Sequence, residues 1–263
     1  MVNKHTKRVY TGLIFLFLYA PIIVLIIFSF NRSKSTASWD GFSLKWYIEL
    51  FNNRQITKAL YYTLASAVLS SLIATVFGTF AAFGIHHMRI VPKRIMLNVN
   101  NLPLLNPDIV TGISLMALFA ALSSFKIQLG FTTMLIAHIT FNTPYVILSV
   151  LPKLKQMPKL TLDAAMDLGA TPWYAFRKVI LPEISPGIVT GMLIAFTMSI
   201  DDFVISYFTT GNGVTNLSIT IYAMARRGIK PTINALSTLM FLTVLILLLI
   251  VNKRSENNED LVK

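Results

Sequence analysis

The chain has 263 residues, 54% of them hydrophobic and 13% charged, with no cysteine and a net charge of +12. This composition excludes a soluble domain, and the missing cysteines exclude disulfides and thiolate metal sites. The basic residues gather at the ends of apolar runs, which excludes a nucleic-acid surface and points to a membrane protein.

Six apolar stretches approach the roughly 20 residues needed to cross a bilayer. The first, about 9–30, has a basic start like a secretion signal. It outlasts the roughly 7–15 apolar residues of such a signal and contains Pro21, so it is read as a retained anchor. An aromatic segment containing Trp39, Phe42, Trp46, Tyr47 and Phe51 follows. It reads either as an interfacial helix or, through Trp46, as the outer mouth of a pathway. The second span covers about 59–85 and ends at His86-His87, which lack metal-site spacing. The third, about 96–121, is interrupted by Pro103 and by Asn106-Pro107-Asp108. Proline inside a span frees backbone groups that neighbours or a wet cavity must satisfy. The fourth, about 131–151, carries His138, read as an interhelical hydrogen-bonding residue. The fifth, about 187–208, begins with the small pair Gly187 and Gly191, a pattern for close helix contact. The sixth, about 235–251, is nearly continuous in Leu, Ile and Val.

Most Lys and Arg lie on the amino-terminal side of these spans, including Lys4, Lys7, Arg8, Arg89, Lys93 and Arg94. The positive-inside rule places that side, with both termini and the loop at about 152–186, in the cytoplasm.

That loop carries the most specific local signal. Leu162, Ala165, Met166 and Gly169 share one helical face, and Gly169 is suited to end the helix in the left-handed conformation. Thr171 reads as an N-cap with Pro172 at the first helical position, and Pro182 is expected to stop the second helix.

Asp108, Asp201 and Asp202 are the acidic residues inside the expected spans. A carboxylate at mid-bilayer costs about 2.5–3.5 kcal/mol, and no Lys or Arg in the same spans offsets it. Such acids imply a cation that passes them. Pairing with another chain, or capping of an interrupted helix, is the structural alternative. Adjacent residues on a helix diverge by about 100°, so one of Asp201 and Asp202 faces a pore directly. Tyr207 and Tyr222, like Trp46, offer aromatic faces to a cation at about 0.5–2 kcal/mol each.

The loop resembles the EAA loop of ABC-importer permeases: Glu-Ala-Ala, three residues, Gly, nine residues, an aliphatic residue, one residue, Leu-Pro. Here Asp163, Ala164, Ala165, Gly169, Val179, Leu181 and Pro182 occupy those positions, with Asp for Glu and Val for the usual Ile. Trp46-Tyr47, Asn106-Pro107-Asp108-Ile109-Val110, Ser199 to Ser206, Ile221 to Met224 and Asn234-Ala235-Leu236 resemble the spermidine/putrescine, PotC-like type. The resemblance implies an all-α integral membrane protein of six transmembrane helices, one permease domain over 1–263, with the MetI-like permease fold. It implies a bacterial cytoplasmic membrane location and a loop docked on an ATPase. It implies as partners a PotB-like permease, two PotA-like ATPase subunits holding ATP and Mg, and an external PotD-like binding protein.

The chain has no phosphate-binding P-loop and no hydrolase or metalloprotease motif, so energy must enter through a partner. Three alternatives stand beside the polyamine permease. They are a permease for another small cation, a stand-alone cation channel or carrier, and an intramembrane aspartyl dyad of Asp108 with Asp201.

Overall fold

The computed structural model describes residues 4–35, 38–122, 128–158, 160–227 and 231–260. Two compact units emerge, Met1–Lys58 with Thr220–Leu248, and Ala59–Ile219 with Leu249–Lys263.

In the first unit, α1 (Lys4–Ser29) is apolar on every face beyond its basic start, and none of its most apolar stretch is buried within the chain. A helix hydrophobic all round and unburied suits a lipid contact. It ends where Asn31, itself buried, organises the following loop. The Asn31 side chain donates to the Ser38 carbonyl at 2.6 Å and accepts from the Asp40 amide at 2.9 Å. The amphipathic α2 (Lys45–Asn52) then turns Trp46 and Leu50 inward and leaves Ile48 and Phe51 exposed. Residues from Thr220 in α11 (Leu217–Arg226) and the start of α12 (Pro231–Asp260) complete this unit.

The second unit is built on α3 (Arg54–His87), α6 (Phe131–Gln156) and α9 (Leu181–Asp201). Helices in lipid gain little from hydrophobicity against one another and associate through small residues and polar contacts. Both devices are present. Ala59, Ala67, Ala74 and Ala82 are fully buried on α3. A β-carbon on Gly187 would stand 2.8 Å from the Ser149 carbonyl oxygen, and one on Gly191 would stand 3.1 Å from Val146 Cα. The small pair therefore lets α6 and α9 approach closely. Gly187→Val should force these helices apart and destabilise the protein by about 1–3 kcal/mol. A thermal unfolding scan in detergent should show the drop, and an unchanged midpoint would contradict this packing.

Two expected spans are broken. The third is a pair of helices, α4 (Ile90–Leu105) and α5 (Asp108–Ala121), bent by 105° at Asn106-Pro107. The residue before proline is driven out of the helical region, and Asn106 is extended at φ −82°, ψ 138°. Pro103 remains inside α4. The fifth begins earlier than expected and stops at Asp201; Asp202 is extended, and a short α10 (Val204–Thr209) follows. Pro182 does not stop a helix, contrary to expectation. A π-helical turn at Phe176–Ile180 joins α8 (Pro172–Ala175) to α9, and Pro182 falls in the first turn of α9. The wider turn sets the Leu181 amide on the Phe176 carbonyl and accommodates a residue that has no amide of its own to donate.

Among the described residues four helices are long and apolar enough to cross a membrane, or five with the bent pair counted as one. Pro231–Ile246, within α12, is a shorter apolar helix in the region of the sixth expected span.

Candidate functional site

Two regions concentrate the residues singled out from the sequence. The first is the loop after α6. Here α7 (Thr161–Asp167) ends at Gly169, whose φ is +89°. The Gly169 amide donates to the Met166 carbonyl at 2.9 Å and the Ala170 amide to the Ala165 carbonyl at 3.1 Å, a Schellman closure. Thr171 then caps α8, its hydroxyl accepting from the Tyr174 amide at 3.3 Å, with Pro172 following. Leu162, Ala165 and Met166 form the partly buried face. Asp163, Ala164, Asp167, Leu168 and Gly169 are exposed, and Leu168 is 90% exposed.

Ala165, Leu168, Gly169, Ala170, Thr171, Tyr174 and Val179 line an open cleft of about 500 Å³. Aromatic contacts tie the loop to the helix behind it. Phe176, buried in the π-turn, stacks on Phe80 at 5.6 Å, meets Phe83 edge-on at 5.0 Å and stacks on Trp173 at 5.8 Å. Leu181 is partly buried and Pro182 exposed beside it. The aromatic contacts thus join the loop to α3, and the π-turn itself runs on into α9.

The second region is the break between α9 and α10. The Asp202 carboxylate takes up the free amides of the first α10 turn, accepting from Ile205 at 3.2 Å and Ser206 at 2.7 Å. It also meets His138 Nε2 at 3.2 Å, in ion-pair geometry. At the other end, Asn216 donates to the Asp202 carbonyl at 2.8 Å and Ser218 to the Asp201 carbonyl at 3.3 Å. Four backbone groups freed by the interruption thereby find partners, as lipid requires.

Adjacent carboxylates therefore have different surroundings: Asp202 is turned into the protein, and Asp201 is exposed. Asp108 is also exposed, in the first turn of α5. That helix packs on α10 through Gly112, where a β-carbon would lie 2.9 Å from Phe208 Cδ2. The two interrupted spans are thus directly joined. Tyr207 on α10 is exposed, with its ring 5.4 Å from that of Phe203.

The remaining aromatic candidates lie in the first unit. Trp46 is buried, 3% exposed, and its indole nitrogen donates to the Asn31 carbonyl at 2.6 Å. Its placement is that of a structural anchor, with Lys45 Nζ 5.2 Å from the ring centroid. Tyr222 is exposed, and Arg226 stands 6.0 Å from its ring centroid. Sequence reasoning missed the pairing of His138 with Asp202, because the partners are far apart in the chain. The signal was present in a histidine and an aspartate that both fall within the expected apolar spans. Among the described residues no group of three or more His, Asp or Glu is arranged to hold a metal.

The model of the family "Binding-protein-dependent transport system inner membrane component" matches residues 74–255. The spermidine/putrescine transport system permease protein PotC of Escherichia coli (strain K12) is 37% identical over 249 residues, 95% of this chain and 93% of that protein. The putrescine transport system permease protein PotI of the same strain is 39% identical over 230 residues, 86% of this chain and 82% of that one. Among solved structures, a chain of a bacterial ABC transporter involved in import of the acidic polysaccharide alginate superposes with a TM-score of 0.74 at 17% identity. It covers 96% of this chain and 94% of that one. The MetNI methionine ABC transporter gives 0.63 at 19% identity, covering 82% and 99%. At these identities the structural likeness concerns the fold.

Proposed function

The chain belongs to the family of binding-protein-dependent transport system inner membrane components, and we propose that it carries polyamines, spermidine or putrescine, into the cytoplasm. The members of this family are multi-pass permease subunits of ABC importers, not enzymes. They work with a substrate-binding protein and a separate ATPase. The observation that carries the substrate reading is the match, over nearly the whole chain, to relatives named for spermidine and putrescine transport. The exposed intramembrane carboxylates Asp108 and Asp201 support it, since a flexible polycation is the cargo that offsets their cost.

In this reading the whole chain, 1–263, is one permease domain, both termini are cytoplasmic, and it pairs with a PotB-like subunit. Two PotA-like ATPase subunits bind ATP and Mg, and a PotD-like receptor delivers the amine from outside. Asp163, Ala164, Ala165, Gly169, Val179, Leu181 and Pro182 form the element that meets the ATPase. Closure of the ATPases moves the loop, the aromatic contacts at Phe176 carry the motion to α3 and the π-turn carries it into α9, and the pathway alternates between its two faces. Asp108 and Asp201 receive the ammonium groups, Tyr207 guides them, and Asp202 acts from inside the protein by holding the break that presents Asp201. Tyr222 and Trp46, both of the first unit, are candidates in their own right, and burial of Trp46 assigns it a supporting part.

The test is uptake of labelled spermidine and putrescine by vesicles holding the assembled complex, with ATP on the ATPase side and receptor on the other. ATP-dependent accumulation of at least one amine is expected; accumulation of neither, with another solute transported, would refute the polyamine reading. Orientation is tested separately. Because the chain has no cysteine, Leu168→Cys introduces a single thiol on an exposed side chain. A membrane-impermeant maleimide should label it from the ATP side, and labelling from the receptor side would exclude docking.

A further inference from the structure

Three side chains of α6 face the broken helix, and each is buried: Thr133, His138 and Asn142. Asn142 Nδ2 donates to Ser199 Oγ at 2.7 Å, on α9 before the break, and Ser199 Oγ lies 2.8 Å from Ser70 Oγ on α3. His138 Nε2 lies 3.2 Å from Asp202 Oδ2 in the break and 3.0 Å from Ser206 Oγ on α10 beyond it. Thr133 Oγ1 donates to the Thr209 carbonyl at 2.8 Å, at the end of α10. A single continuous helix therefore grips both halves of a discontinuous one, above, at and below the interruption.

Asp202 and Phe203 lie between the helical segments α9 and α10. Without external contacts this joint would bend freely, and Asp201, the last residue of α9, would lose its aim. Asn142 fixes the α9 side, and His138 fixes the α10 side by holding the carboxylate that caps it. With its proton on Nε2 the imidazole donates to Asp202, so the Asp202 charge is taken up by His138 and two backbone amides. Asp201 has no such set of partners and remains exposed.

We propose that His138 is a positioning residue for transport: through Asp202 it locks the α9–α10 break in the geometry that presents Asp201 to the cationic substrate. This rests on the pathway reading above but concerns a residue that touches no cargo.

The experiment is a double-mutant cycle in reconstituted complexes, with uptake normalised to the amount of protein in the membrane. His138→Ala should lower polyamine uptake roughly three- to tenfold, the range for a lost interhelical hydrogen bond in a bilayer. His138→Gln, which keeps a donor near the same place, should restore uptake to within about twofold. In a background of Asp202→Asn, His138→Ala should add no further loss, because the two act as one unit. Losses that multiply, or uptake unaffected by His138→Ala, would overturn the proposal. Should His138→Ala fail to reach the membrane, Ser206→Ala, which removes another partner of the same imidazole, takes its place in the cycle under the same criteria. Asp201→Asn is read separately. An unchanged affinity there would remove the pathway reading, whereas coupling between His138 and Asp202 is judged from the cycle alone.

Discussion

Gly169→Leu should abolish coupling between ATP hydrolysis and uptake while leaving the amount of protein in the membrane unchanged. Gly169 has φ +89°, and an ideal β-carbon there would meet nothing within 4 Å. No internal clash is therefore created, and the cost is confined to the backbone. A residue with a side chain in the left-handed region loses about 1–2 kcal/mol, too little to unfold helices that span a bilayer. The damage falls on the surface that Ala164, Leu168 and Gly169 present. Either the Schellman closure opens and α7 is re-aimed, or a branched side chain projects into the space a partner needs. Loss of one central contact in an interface costs about 2–4 kcal/mol, so uptake should fall on the order of 30-fold or more. Gly169→Ala, with the same strain and less bulk, should fall between the two. Uptake and ATP hydrolysis measured together on the reconstituted complex decide the matter. Normal uptake by Gly169→Leu would sink the docking assignment.

This loop was the most legible part of the chain, because its determinants are local. A glycine for a left-handed closure, a threonine cap and a proline at the first helical turn each act within a few residues. The break at Asn106-Pro107 was legible for the same reason, since pre-proline sterics need no tertiary context. The π-turn was not, because it depends on how Phe176 packs between Phe80 and Phe83. The division of labour between Asp201 and Asp202 was half legible. Helical geometry requires them to diverge, but the chain ends its helix between them, and the partner that turns Asp202 inward comes from another helix. Trp46 shows the converse. Its aromatic neighbourhood reads as a membrane interface, while the carbonyl that receives its indole proton belongs to a loop organised by Asn31.

Asp201→Asn should weaken transport and, at the same time, leave the protein in the membrane as stable or more so. An exposed carboxylate within a membrane span is a standing cost, about 2.5–3.5 kcal/mol for a charge at the bilayer centre. The amide removes that charge with almost no change of shape. The α9 end is stitched by Ser218 and Asn216 through backbone carbonyls at 201 and 202, which the substitution does not touch. Stability thus has no reason to fall. Binding does, because a hydrogen bond between ammonium and carboxylate contributes about 1.5–3 kcal/mol more than none. The half-saturating concentration of polyamine should accordingly rise by roughly 10- to 100-fold. The opposite signs distinguish this carboxylate from a structural one. Replacing Asp202 removes the partner of a buried histidine and the cap of α10, so stability and uptake should fall together there. Thermal midpoints and concentration-dependent uptake of the two variants, compared side by side, separate the roles. A half-saturating concentration unmoved by Asp201→Asn would take that residue out of the cation's path and leave its burden in the bilayer without a physical reason.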